Sequence, residues 1–198
     1  HSSNGGSDAF ITKYGADGSY HWTITFGGTG YDWGYALDAD NTGIYVTGAC
    51  NGNVDFDPSD GEVVRNCFNL RGMFIAKFHF TGDLVWVGTA GKNSNSTNAR
   101  DITVGANGQY IYATGFFYSG PVDFDWGSGT RNLDAGWNAG GYIVKSDING
   151  NFIWAEHFGI AGVDDYPTAV SIPNAGALYI SGSCNGAAAV DNDMFIAQ

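Results

Sequence analysis

Apolar and aromatic residues fall in short runs along this chain, each about five residues long and closed by Gly, Asn or Asp. β-Branched and aromatic side chains dominate the runs, which predicts strands. No useful stretch carries the 3.6-residue period of a helix. The runs also recur. Phe10-Ile11-Thr12-Lys13 returns as Phe74-Ile75-Ala76-Lys77, as Tyr142-Ile143-Val144-Lys145 and as Phe195-Ile196-Ala197-Gln198. The first three are followed by a turn (Ala16-Asp17-Gly18, Thr81-Gly82-Asp83, Ile148-Asn149-Gly150) and then by a strand centred on Trp22, Trp86 or Trp154. Beyond a polar or Gly-rich loop, Ile44-Tyr45-Val46-Thr47-Gly48 matches Ile111-Tyr112-Ala113-Thr114-Gly115 and Leu178-Tyr179-Ile180-Ser181-Gly182, at a spacing of 67 residues both times.

Self-similarity at such a period marks a repeat architecture. Weakly alternating segments, Tyr35 to Ala39 and Asp101 to Val104, supply a further strand, so one unit holds four. Four antiparallel strands at fixed period predict an all-β fold of β-propeller-type blades, three repeats plus a spare terminal strand. The expected boundaries are a leader at 1–7, repeats at 8–72, 73–141 and 142–193, and the first strand of a further repeat at 194–198. Two units carry an extra hairpin, Val54 to Leu70 and Val122 to Leu133, which the third lacks. The recurring Trp and Tyr positions are expected to pack one unit against the next. Three blades are fewer than propellers usually hold, and the same strand motif stands near both ends. Either the chain is a fragment of a longer array, or neighbouring subunits satisfy the open strand edges.

Composition narrows the partners. The chain has 198 residues and a net charge of −12, with 8 basic against 20 acidic residues. Phosphate-backbone binding needs clustered Lys and Arg, so nucleic acid is excluded as an expected partner. No run of 18 apolar residues is present, so no membrane insertion is expected. Of three cysteines, Cys50 and Cys67 are close enough in sequence for a disulfide, with Cys184 left over; three free thiols are the alternative.

These motifs resemble the bacterial β-propeller repeat family called SBBP, whose units read D-x-F-[IV]-x-K, then G and W, then F-G-G-x-G-x-D, then a strand ending Y-x-x-G. The first unit carries Asp8, Phe10, Lys13, Gly18, Trp22, Phe26-Gly27-Gly28, Gly30, Asp32, Tyr45 and Gly48; the third keeps Trp154, Phe158-Gly159, Asp164 and Tyr179. The second replaces the Phe-Gly-Gly loop with residues 90–98. The resemblance implies an exported protein of a cell surface or matrix, and it carries no shared catalytic residues.

Candidate chemistry is sparse. Asp55, Asp57 and Asp60 lie in one acidic turn, and Asp123 and Asp125 repeat the first pair. Residues i and i+2 of a strand face one way, so each pair is a candidate Ca²⁺ site, against a solvated turn. Tyr31, Trp33, Trp126 and Trp137 are candidate sugar-stacking or interface residues. Glu156, Asp164 and Asp165 are the carboxylates a glycoside hydrolase would need, but Asp164 recurs with the repeat at Asp32, which favours a structural role. His21, His79 and His157 carry no catalytic signature. The expectation is therefore a non-enzymatic, extracellular structural or adhesive protein that self-associates into a filament, matrix or surface layer. A glycan-binding propeller is the alternative and a propeller hydrolase a remote one.

Overall fold

A computed structural model describes residues 3–159, 163–174, 176–185 and 196–197. All regular elements among them are strands: β1 (Ala9–Tyr14), β2 (Tyr20–Gly28), β3 (Trp33–Ala39), β4 (Ile44–Cys50), β5 (Asn53–Asp55), β6 (Val64–Asn66), β7 (Gly72–Phe78), β8 (Leu84–Gly91), β9 (Thr97–Val104), β10 (Tyr110–Tyr118), β11 (Val122–Asp123), β12 (Asn132–Leu133), β13 (Ala139–Asp147), β14 (Phe152–Phe158), β15 (Asp164–Asn174), β16 (Ala177–Asn185) and β17 (Ile196–Ala197). They form four antiparallel sheets. The first runs β1-β2-β5-β6, the second β3-β4-β7-β8-β11-β12, the third β9-β10-β13-β14 and the fourth β15-β16-β17.

The sheets are cut two strands later than the sequence repeat. The second sheet takes β3 and β4 from the expected unit 8–72 and β7 and β8 from the unit 73–141. The third sheet is divided in the same way. Part of the expected leader also pairs, since Gly6 N–H donates to Gly30 C=O and Asp32 N–H to Ser7 C=O. Residues 186–193 of the third expected unit lie outside the described residues. Of the expected further strand at 194–198, Ile196 and Ala197 pair with β16 as β17.

Burial explains the unalternating apolar runs. β4 and β7 are buried at every position, because a sheet packs on each of their faces. Phe74 and Ala76 point into a core shared with Ile11 and Phe26 of the first sheet. Met73 and Ile75, one residue out of phase, point into a core shared with Ile111, Phe117 and Tyr142 of the third. Ile143 turns the other way, toward Val170 and Ile180 of the fourth. The first strands of consecutive sheets lie side by side. Asp38 accepts from Val104 N–H at 2.8 Å, and Asp101 accepts from Val170 N–H at 2.7 Å.

Two details of the motifs have local causes. Gly48, Gly115 and Gly182 close the recurring motif, inside their strands and beside a register shift in the partner strand. A β-carbon there would overlap the backbone carbonyl oxygen of Trp33, Asn98 or Tyr166. The inserted hairpins leave the sheet of the strands that flank them in the chain. β5 pairs with β2 of the preceding sheet through Gly27↔Asp55 and Gly28↔Val54, and β11 pairs with β8 through Gly91↔Asp123. A disulfide between Cys50 and Cys67 closes the base of the first hairpin, and Cys184 is a free, exposed thiol.

Candidate functional site

The chemistry that repeats with the fold sits at the seams between sheets. Lys13, Lys77 and Lys145 occupy one position of the Phe-Ile-x-Lys strand. Each of the first two reaches across to the following sheet, and the acceptor is the carbonyl at one position of that sheet's hairpin turn. Lys13 Nζ donates to Phe80 C=O at 3.3 Å, and Lys77 Nζ donates to Ile148 C=O at 3.4 Å. The neighbouring tryptophan completes the lock. Trp86 Nε1 donates to Ile148 C=O at 3.1 Å, and its ring lies so close to Gly150 that a β-carbon there would stand 2.6 Å away. Trp22 and Ile24 lie over Gly82 in the same manner. Both glycines have positive φ, 100° and 86°, which the turn requires. Lys77 is only 7% exposed and Tyr45 is fully buried, so the second seam is closed over its cation.

The third copy of the lock is arranged differently. Lys145, Tyr112 and Trp154 line a cleft of about 620 Å³ between the third and fourth sheets, with Tyr110, Ile143 and Glu156. The Lys145 ammonium sits over the Tyr110 ring at 3.8 Å and the Tyr112 ring at 5.3 Å. Among the described residues no turn carbonyl accepts from it. Lys145, Tyr112 and Trp154 are each half-buried, where Lys77 and Tyr45 are enclosed.

The expected cation sites have another occupation. Asp55 accepts from the N–H groups of Asp57 and Val63, at 3.0 and 2.9 Å. Asp123 accepts from those of Asp125 and Arg131, at 3.0 and 2.8 Å. Each therefore closes its hairpin from within, while the intervening Phe56 or Phe124 is fully buried. Asp57 and Asp125 cap the following turn through Ser59 N–H and Gly127 N–H. Hydrogen bonding from Ser59 holds the Asp57 carboxyl below its usual range. Asp60 is exposed. Among the described residues, no three His, Cys, Asp or Glu side chains meet as ligands for an ion. Asp123→Ala is expected to lose about 1–2 kcal/mol in urea unfolding, equally with and without added Ca²⁺, because two backbone donors lose their acceptor.

The expected aromatic site divides in two. Tyr31 and Trp33 do stack, with centroids 5.7 Å apart and planes 11° from parallel, and Tyr35 continues the row 6.5 Å beyond. The Arg71 guanidinium covers Trp33 at 4.5 Å, and Arg100 covers Tyr35 at 4.6 Å. The guanidinium groups thus cover a face of Trp33 and a face of Tyr35, while Tyr31 remains 58% exposed. Trp126 belongs to a seam, where its Nε1 donates to Gly150 C=O at 2.8 Å and its ring packs on Phe152. Trp137 is 97% exposed.

The three carboxylates considered for hydrolysis have separate surroundings. Glu156 pairs with Arg131 at 2.6 Å. Asp164 accepts from Ala139 N–H and from Asn138, which holds its carboxyl below the usual range. Asp165 is buried. Asp32, the repeat counterpart of Asp164, accepts from Gly28 N–H and Asn51 N–H, but burial wins and raises its carboxyl. His157 packs on Phe117, and burial lowers its imidazole.

No protein-family model matches the chain. It is similar to an uncharacterized WD repeat-containing protein of Acanthamoeba polyphaga mimivirus, 26% identical over 125 residues; the match covers 59% of this chain and 9% of that far longer protein. The chain is an all-β repeat protein of serially packed antiparallel sheets, similar over part of its length to a WD repeat-containing protein.

Proposed function

We propose that this chain is a non-enzymatic β-propeller-type repeat protein of an extracellular or cell-surface structure, which associates with itself head to tail. Four-stranded antiparallel meanders packed in series, with their first strands side by side, are the layout of propeller blades, and the partial likeness to a WD repeat-containing protein agrees with that. The buried disulfide suits an oxidising compartment, as does the resemblance to exported SBBP repeats. The observation that carries the reading is the polarity of the seams. Two are closed by one lock, a Lys and a Trp on one sheet and a turn on the next, and a third copy of the Lys and Trp lines an open cleft. A heterologous contact of that kind adds units in one direction.

Sedimentation velocity over a wide concentration range tests the reading. The mean mass is expected to climb with concentration, and electron microscopy of the same samples should show rows of units. A single monomeric species of 20.9 kDa up to the solubility limit overturns it.

A further inference from the structure

We infer that the stacked row of Tyr31, Trp33 and Tyr35, with Arg71 and Arg100, binds an acidic oligosaccharide through the carboxylates of its uronate units. The inference stands apart from the head-to-tail reading.

The first strands of three sheets build the place. Trp33 faces Ala49, Asn98 faces Phe116 and Tyr166 faces Ser183, at equivalent rungs of β3–β4, β9–β10 and β15–β16. Two residues beyond, each ladder passes over one residue of its first strand, namely Tyr35, Arg100 or Thr168. A bulge breaks the alternation of a strand and re-aims the side chain that it carries. The same device therefore recurs at one level of three neighbouring sheets. At the seam between the second and third sheets it brings two of these side chains together, with the Arg100 guanidinium 4.6 Å from the Tyr35 ring centre. The Phe116 ring supports the same guanidinium at 5.1 Å, and Arg71 reaches Trp33 from the residue before β7.

Both guanidiniums are held but not used. Among the described residues, the side chains of Arg71 and Arg100 donate no hydrogen bond and meet no carboxylate, although the chain has 20 acidic residues. A guanidinium laid over a ring keeps its N–H groups at its rim, where they match the two oxygens of a carboxylate. The rings favour the same charge. Their planes lie 11° and 13° from parallel, so stacking turns faces toward one another and rims outward. The rim of an aromatic ring is the positive part of its quadrupole. The row thus presents two cationic forks beside consecutive rings, Trp33 and Tyr35, whose centres are 6.5 Å apart. Tyr31 and Tyr35 are exposed and add phenol hydroxyls.

An oligouronate matches this set. Each of its units fixes a carboxylate to a rigid ring, beside hydroxyls that the phenols can pair. An acidic peptide must freeze flexible side chains to present the same carboxylates, which costs more conformational entropy. The net charge of −12 does not bar so short a ligand, because at physiological salt charges more than about 8 Å away are largely screened.

Titration calorimetry at physiological salt tests the inference. The native chain is expected to bind trigalacturonate, and to bind the carboxyl-reduced trisaccharide at least about 10-fold more weakly. Arg71→Gln and Arg100→Gln should each raise the Kd for trigalacturonate about 10-fold, the scale of a lost charged hydrogen bond. Arg65→Gln, on the exposed strand β6, should leave it unchanged. Thermal melting checks folding; if one variant does not fold, the other decides, and the comparison of sugars on the native chain needs neither. A native chain that binds neither sugar, or both equally, overturns the inference, as does an equal loss in Arg65→Gln. Binding of triglutamate as tight as that of trigalacturonate also overturns it and makes the row a site for acidic peptide.

Discussion

Gly115→Ala is expected to cost at least about 3 kcal/mol, enough to leave much of a marginally stable domain unfolded. The cause is backbone, not side chain. A methyl at Gly115 would overlap the Asn98 carbonyl oxygen and lie 2.8 Å from Ala99 Cα and 2.9 Å from the Asn98 carbonyl carbon. None of these atoms can rotate aside, so β9 and β10 must separate where their register already shifts. The fully buried Phe117 and the Thr114 hydroxyl, which donates to Tyr142 C=O at 2.7 Å, flank the site and would move with it. Gly18→Ala is the control. That glycine has positive φ but open space, so only backbone strain is paid, about 1 kcal/mol. Urea unfolding followed by tryptophan fluorescence separates the two, and a Gly115→Ala loss no larger than that of Gly18→Ala refutes the close-approach account.

Removing the Cys50–Cys67 disulfide is expected to cost about 3 kcal/mol, the chain-entropy value for a loop near 15 residues; the two cysteines are separated by 17. Both sulfurs are fully buried in the core between the first and second sheets. The closed loop carries β5 and β6, so its release weakens the strand pairing of β5 to β2. Other ties remain: Gly52 N–H donates to Phe68 C=O, Cys67 N–H to Gly52 C=O, and Asn51 Nδ2 to the carbonyls of Asn69 and Leu70. Cys50→Ala, Cys67→Ala and the double variant should therefore lose nearly the same amount and stay folded. Cys184→Ser should be neutral, because that thiol is exposed. Melting with and without reductant gives the same comparison, and a native chain indifferent to reductant contradicts it.

The strands were readable because they lie within recurring motifs, but their grouping was expected in fours and the sheets hold four, six, four and three strands among the described residues. Where the sheets divide was not readable, since a repeat can be framed at any strand and periodicity is blind to which neighbours pair. The seam lysines illustrate the same limit. Lys13, Lys77 and Lys145 recur plainly, but their acceptors are backbone carbonyls one sheet further on, which no residue type marks. For the acidic pairs, the same-face reasoning treated both carboxylates as strand residues, whereas β5 ends at Asp55, and it could not foresee the backbone N–H groups that donate to Asp55 and Asp123. The fully apolar Phe56 and Phe124 between them were the available sign of a hairpin pressed against a core. Tyr31 and Trp33 stood among the four aromatic candidates, but their stacking did not show in the sequence, nor did Tyr35, which follows at the same two-residue step. Arg71 and Arg100 arrive from other segments and complete the row only in three dimensions. Trp126 replaces Pro58 of the first unit, so no repeat signal tied it to the seam.

The hairpins bear on how a row of such units responds to force. β5–β6 and β11–β12 each belong by chain to one sheet and by hydrogen bonding to the sheet before it. Drawing adjacent sheets apart must strip those strand pairs as well as part the apolar faces. Tension between the first and second sheets, and between the second and third, is thereby shared by strand pairing as well as by packing.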